Sequence, residues 1–349
     1  MSSVSKKLLL LVNLGSPKKP NSKEVGTFLR EFLMDPYVID IPAPFRWCLV
    51  NLIIAPIRSS RSAKAYQKIW LEKEGSPLVH NTEKLNRALG QELKDITVDF
   101  AMRYNGPSIE EVIRKHKDCT EVFVLPLYPQ YAESSNRTVL VEVEKLKSKF
   151  QDQKKLFGLD YFYNQPEYIN TLSNFIKNQI QSRPIDHILF SYHGLPERHM
   201  KKLGPDYKLK CLASEDCCPS RFGTKHNCYR SHCFETTSLV VDQLGAQVST
   251  STSFQSRLGR DEWVKPYTTV HIEDLVLKKK IKNLAVVCPS FVGDCLETLE
   301  EVEMELKHQF MELGGENFYY IPALNDDASW IKALSKMYTR TSSSWRSIF

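Results

Sequence analysis

The sequence has no hydrophobic run long enough to cross a bilayer. Its longest apolar stretch, Cys48–Ile57, is broken by Asn51 and Pro56. It falls well short of the roughly 20 residues that a spanning helix needs. The opening MSSVSKKLLLLVNLGSP lacks the extended apolar core and small-residue cleavage site of a secretory leader and reads as a buried first strand; we expect a cytoplasmic protein. Charge of one sign is also scarce. The net +6 over 349 residues is mild enough for an anionic surface or an acidic small molecule and argues against nucleic acid. No Gly-x-Gly-x-x-Gly follows any candidate strand, which excludes the usual dinucleotide site. Low-complexity tracts and short-period repeats are absent.

What is present is an ordinary globular composition, 42% hydrophobic and 25% charged, in a chain long enough for two domains. Strand-like runs alternate with amphipathic stretches. Candidate strands are Leu8–Leu14, Ile96–Arg103, Glu121–Tyr128, Lys155–Tyr161, His187–Tyr192, Gln247–Phe254, Leu284–Pro289 and Phe318–Pro322. Helical patterns lie between them, among them Ser135–Lys149, Cys233–Leu244 and Gly293–Leu313. This rhythm predicts an α/β protein of two similar doubly wound, Rossmann-like domains with parallel sheets and a cleft between them. We place an N-terminal α/β domain at 1–150, a C-terminal one at 151–340 and a loose tail at 341–349. The polar motifs NLGSP, RYNGPS, LPLYPQYAESS, SYHGLP, TSFQSRLG and CPSFVGDCLETLEE all fall at carboxyl ends of strands, where such sheets carry their sites.

Two motifs carry chemistry. His193 follows the strand HILFSY and precedes Gly194 and Pro196. A neutral imidazole there can take a proton or ligate a metal, or it can be a hydrogen-bonded structural histidine, and the residue pattern leaves both open. At 100° per residue, Asp294, Glu297, Glu301, Glu305 and His308 share one helix stripe opposite Leu296, Leu299, Val302, Leu306 and Phe310. The acidic stripe reads either as a carboxylate ladder or as a solvated face favoured by the helix dipole. Its first members lie nearest the strand ends, and Glu305 and His308 read as solvated.

Nine cysteines is an odd count, and Cys211, Cys217, Cys218, Cys228 and Cys233 crowd one segment. In a cytosolic chain this suggests a metal or redox centre before disulfides.

The segments SYHGLP, TSFQSRLGRDEWVKPYT and CPSFVGDCLETLEE, with NLGSP, FLREFLMDPYVID, YQKIWLEKEGSPL, RYNGPSIEE and LPLYPQYAESS, closely resemble the signature segments of ferrochelatases, in the family's order from about residue 8 to 338. The resemblance implies a lyase of haem biosynthesis that inserts Fe²⁺ into protoporphyrin IX, held between two α/β domains. It implies that His193 is essential, that Glu297 is its partner and that Glu301 continues an acidic path, with His193 and Glu297 as contacts of the substrate Fe²⁺. Tyr128, Pro129, Gln130 and Tyr131 become candidates to lie against the macrocycle, and Arg30, Arg46, Arg58 and Ser59 to grip its propionates. The cysteine segment 211–233 interrupts the family pattern. Four thiolates suit a [2Fe–2S] cluster, which some ferrochelatases carry, and we expect Cys211, Cys218, Cys228 and Cys233 as ligands with Cys217 as the alternate. Structural zinc and unligated thiols are the rivals. The apolar segment 41–58 reads half as core helix and half as a lip over the porphyrin that could touch a membrane peripherally.

The competing expectations are a coproporphyrin III ferrochelatase or related tetrapyrrole chelatase, and a non-catalytic haem or iron–sulfur binding protein. WLEKEGSPL and DCLETLEE resemble the protoporphyrin-using Gram-negative branch. Monomer and homodimer are both open.

Overall fold

The computed structural model describes residues 6–150, 153–203, 215–245, 248–257 and 261–348. All eight expected strands form, in two compact units. The first unit draws on the described residues up to Tyr128, on Glu133–Tyr161 and on the chain from Asn325 onward. Its strands are β1 (Lys7–Asn13), β2 (Thr97–Met102), β3 (Glu121–Pro126), β4 (Lys155–Gly158) and, beyond the second unit, β9 (Arg346–Ser347), in the order β2-β1-β3-β4-β9. The first four are parallel, and β9 is antiparallel to β4.

The β1 leucines show why. Leu8, Leu9, Leu10, Leu11 and Val12 are all fully buried, so both faces of this strand are covered, as a parallel sheet requires. Each such side chain is worth about 1.5–3 kcal/mol of burial. Leu8, Leu10 and Val12 pack with Val112 and Ile113 of the helix Ile109–Lys115 and with Val139 and Val143 of the helix Thr138–Lys145. On the other face Phe123 stacks on Phe157 and meets Tyr338 and Trp345 edge-on. The segment expected as a loose tail at 341–349 is therefore docked, as far as it is described. Trp345 is buried against Phe123 and Tyr338, and β9 closes an edge of the sheet. Local periodicity did not reveal this, because one aromatic anchor does the docking. The boundary placed near 150 likewise differs from the compact units, since Pro129–Ala132 belongs with the second unit and the C-terminal helix Ala328–Thr341 with the first.

The second unit has β5 (His187–His193), β6 (Ser249–Gln255), β7 (Asn283–Val287) and β8 (Asn317–Ile321), all parallel, in the order β6-β5-β7-β8. This repeats the β2-β1-β3-β4 order of the first unit. Leu189, Leu284 and Val286 pack against Ile272 and Leu275 of the helix Thr268–Leu277, and against Val302, Leu306 and Phe310. The chain passes from β5 outward to β6 and then returns to β7 on β5's other side. That reversal leaves a crevice at the carboxyl ends of β5 and β7, the usual ligand position in such sheets.

The segment 41–58 is helical from Ala43, and Leu49–Ile54 is wound as a π-helix. The amide of Ala55 bonds the carbonyl of Val50 rather than that of Asn51. Widening the turn there lets Pro56, which has no N–H to give, continue into the helix Ala55–Ile69. Only Val50 and Ala55 of this stretch are buried, so it contributes less core than the half expected. Phe45, Trp47, Leu52, Ile53 and Ile57 are exposed.

Candidate active site

His193 is the last residue of β5, and its ring is half-buried. Trp263 and Phe291 flank it, with ring centroids at 6.4 and 6.2 Å. Its amide donates to Ser290 Oγ at 3.3 Å, and its carbonyl accepts from the Tyr229 hydroxyl at 2.7 Å. The amide of Gly194 donates to the Gln255 carbonyl at 2.8 Å. Gly194 is required by space: a Cβ there would sit 2.7 Å from the Gln255 carbonyl oxygen and 3.1 Å from Trp263. Gly194→Ala is expected to cost about 1–3 kcal/mol by overpacking, read as a lower melting temperature in calorimetry. An unchanged transition would mean that the strand end has slack.

The acidic helix begins at Leu296 and runs to Glu312, with Leu299–Leu306 wound as a π-helix. The expected stripe repeats every four residues, at Glu297, Glu301 and Glu305. A helix looser than 3.6 residues per turn holds a four-residue repeat closer to one line. The buried series Val302, Leu306, Phe310 follows the same step. Asp294 leaves the ladder: it is buried, accepts from Tyr320, Thr298 and the amide of Ala323, and staples the helix start to β8. Glu305 and His308 are exposed, as expected.

His193, Glu297 and Glu301 come together. Burial lowers the His193 pKa from its usual value, and the charge of Glu297 opposes that shift. The imidazole is therefore neutral at pH 7 and ready to accept a proton. Burial, with the charge of Glu297 next, pushes the Glu301 carboxyl up to about 8, so at neutral pH it carries a proton. Glu297 thus acts electrostatically on both His193 and Glu301, and an imidazole with two glutamates is the kind of set that proton transfer or a hard cation can use.

Sequence reasoning missed the residues that hold this path. The Gln255 side chain donates to the Glu297 carbonyl at 2.7 Å and accepts from Ser191 Oγ at 2.7 Å, tying the helix start to β5. Ser256 has φ +67 and donates its hydroxyl to Glu301, a left-handed backbone held at the site. The one available signal was the motif TSFQSRLG itself, which named the neighbourhood but not the partners.

The remaining expected residues are divided between the two units. Gln130 is buried and donates to Thr236, and the Tyr131 amide donates to His232 Nδ1. Both lie in the second unit, bound to the helix Tyr229–Leu244. Tyr128 is in the first unit, packed against its core, and its carbonyl accepts from Asn136. The side chains of Arg30 and Ser59 both lie beside Gly26. Arg46 Nη1 is engaged by the carbonyls of Ile39 and Ile41, at 3.1 and 2.9 Å, and Arg58 is half-buried in the helix Ala55–Ile69.

Cys217, Cys218, Cys228 and Cys233 are buried in the second unit, and a charge on one acts on others. Burial raises the Cys218 thiol to about 11 and also raises Cys228 and Cys233. The Arg230 guanidinium donates to Cys218 Sγ at 3.0 Å. Cys211 lies outside the described residues. Among the described residues, no three His, Cys, Asp or Glu side chains are grouped so as to hold a metal ion.

A model of the Ferrochelatase family matches residues 6–342. A Ferrochelatase of Coxiella burnetii is 44% identical over 333 residues, 94% of this chain and 92% of that one. One of Pseudomonas fluorescens is 45% identical over 336 residues, 95% and 97% of the two chains. One of Bdellovibrio bacteriovorus is 39% identical over 338 residues, 96% and 99%. Among solved structures, SirB from Bacillus subtilis with Fe³⁺ superposes with a TM-score of 0.55 at 10% identity, covering 97% of this chain and 98% of that one. The sirohydrochlorin chelatase SirB of subspecies spizizenii, in complex with cobalt, gives 0.53 at 8% identity, covering 99% and 100%. These two share the fold, whereas the extent and identity of the sequence matches reach further: this chain belongs to the ferrochelatase family.

Proposed function

We propose that the protein inserts Fe²⁺ into protoporphyrin IX at the carboxyl end of the second sheet. His193 accepts the pyrrole protons, and Glu297 with Glu301 passes protons or the metal substrate along the helix. The reaction exchanges two N–H protons for one Fe²⁺, so it needs a base and a cation path at one place. What carries this reading is the placement of His193 at the end of β5, under the electrostatic influence of Glu297, whose charge also acts on Glu301 along the same helix. As a porphyrin metal chelatase the enzyme is a lyase.

Rigid walls such as Trp263 and Phe291 suit a macrocycle that must be bent before metal enters. Tyr128, Gln130, Tyr131, Arg30, Arg46, Arg58 and Ser59 remain our proposed porphyrin contacts. Of these, Arg30 beside Ser59 is favoured for a propionate. Arg46 and Gln130 are the weakest, because Arg46 already donates to the carbonyls of Ile39 and Ile41 and Gln130 to Thr236. The test is purified protein with anaerobic Fe²⁺ and protoporphyrin IX, in which the four visible bands of the free base collapse to two. Faster turnover of coproporphyrin III in a parallel assay would favour that substrate instead.

We further propose a [2Fe–2S] cluster at the cysteine segment, held by Cys211, Cys228, Cys233 and one of the adjacent pair Cys217 and Cys218, with Cys218 the favoured member. The donor chemistry supports it: Cys218, Cys228 and Cys233 are buried thiols that share one another's field, with the Arg230 guanidinium to offset thiolate charge. Such a group supplies redox chemistry or a covalent staple. Brown protein with two iron atoms and two acid-labile sulfides per chain is expected, and colourless protein with stoichiometric zinc would contradict it.

The exposed Phe45, Trp47, Leu52, Ile53 and Ile57 support peripheral contact with a membrane. No described helix is long and apolar enough to cross one. Binding to anionic vesicles that Phe45→Glu with Ile57→Glu abolishes is expected. Location in the cytoplasm accords with this reading.

A further inference from the structure

We propose that Tyr229 is a positioning residue for His193, and that the cysteine-bearing turn of its helix is thereby part of the catalytic apparatus. This rests on the role given to His193 above. The Tyr229 hydroxyl donates to the His193 carbonyl at 2.7 Å and lies 2.9 Å from Ser290 Oγ. Ser290 Oγ in turn accepts the His193 amide at 3.3 Å. With its one proton given to the carbonyl, the phenol is an acceptor toward Ser290. The four groups then close a ring: His193 N–H to Ser290, Ser290 O–H to Tyr229, and Tyr229 O–H to His193 C=O. Every donor and acceptor in that ring has a single consistent assignment.

The ring fixes both sides of the His193 residue, and the Gly194 amide bonded to Gln255 fixes the next peptide. The imidazole's direction is thus set by backbone clamps, since the ring nitrogens must stay available to substrate. Tyr229 itself is buried, follows Cys228 and begins the helix that carries Cys233 one turn on. Cys233 is fully buried in that same helix. His193 therefore hangs from the turn whose cysteines the cluster would use, and a disordered cysteine segment would loosen it.

The test is Tyr229→Phe in the full-length protein as purified, which keeps the ring and removes the hydroxyl. Turnover should fall about tenfold, the scale of a slightly misplaced catalytic group. The KM for porphyrin should change less than twofold and the visible spectrum should stay as in the parent, while the melting temperature falls by a few degrees because the His193 carbonyl loses its partner. Ser290→Ala, which opens the same ring elsewhere, should fall in the same direction by less. A Tyr229→Phe enzyme with parental kcat, or one whose activity per folded molecule is parental, overturns the proposal. If Tyr229→Phe does not fold, Ser290→Ala decides alone, and parental kcat there overturns it. Should His193→Ala prove active, the proposed chemistry fails first, whereas an essential His193 with an indifferent Tyr229 defeats only this inference.

Discussion

His193→Ala should lower iron insertion by at least about 10²–10⁴-fold, the usual worth of a positioned general base, while circular dichroism and the melting transition stay near the parent. The reason for the split lies in which atoms do what. Ser290 and Tyr229 bond the amide and carbonyl of residue 193, not its ring, so alanine preserves the strand end. What alanine removes is a half-buried imidazole kept neutral by burial. Porphyrin binding, followed by fluorescence quenching, should persist. An alanine variant with normal turnover would remove His193 from the chemistry, whatever its sequence context.

Glu301→Gln should act on both rate and stability, each with a definite pH dependence. The carboxyl is raised from the ordinary 4.5 to about 8, through burial first and the Glu297 charge second. The folded protein therefore holds a proton that the unfolded chain releases near pH 4.5. Stability falls as pH rises from there through about 8 and then levels off, because the unfolded state binds fewer protons over that window. Glutamine cannot ionise, so the variant's melting temperature should vary less between pH 6 and 9. Its advantage over the parent should be largest above pH 8. Turnover should fall by about 10–10²-fold, and any decline of the parent's rate centred near pH 8 should disappear. A variant with the parent's pH profile in both measurements would mean that Glu301 is ionised and solvated.

The strands were legible because each is a short run of leucine, valine, isoleucine or phenylalanine ended by glycine, proline or a polar cluster, as in KLLLLVN before Leu14-Gly15. The histidine and the acidic helix were legible from their place at strand ends. The supports were not. Gln255 acts on Glu297 across 42 positions and Tyr229 on His193 across 36, and hydroxyls and amides at that range leave no periodic trace. The helix bearing the cysteines starts at Tyr229 rather than Cys233, since Cys228 offers no side-chain cap to mark it. The π winding of Leu299–Leu306 escaped a 100° projection for a related reason. It is set by which residues the sheet buries, and local propensity is silent about that.

The most direct test of the shared-site claim is single-turnover iron insertion by the parent, His193→Ala, Glu297→Gln and the double variant. If imidazole and carboxylate act as one unit, the double variant should be no slower than the slower single. Losses that multiply in full would mean that the two groups work at separate places.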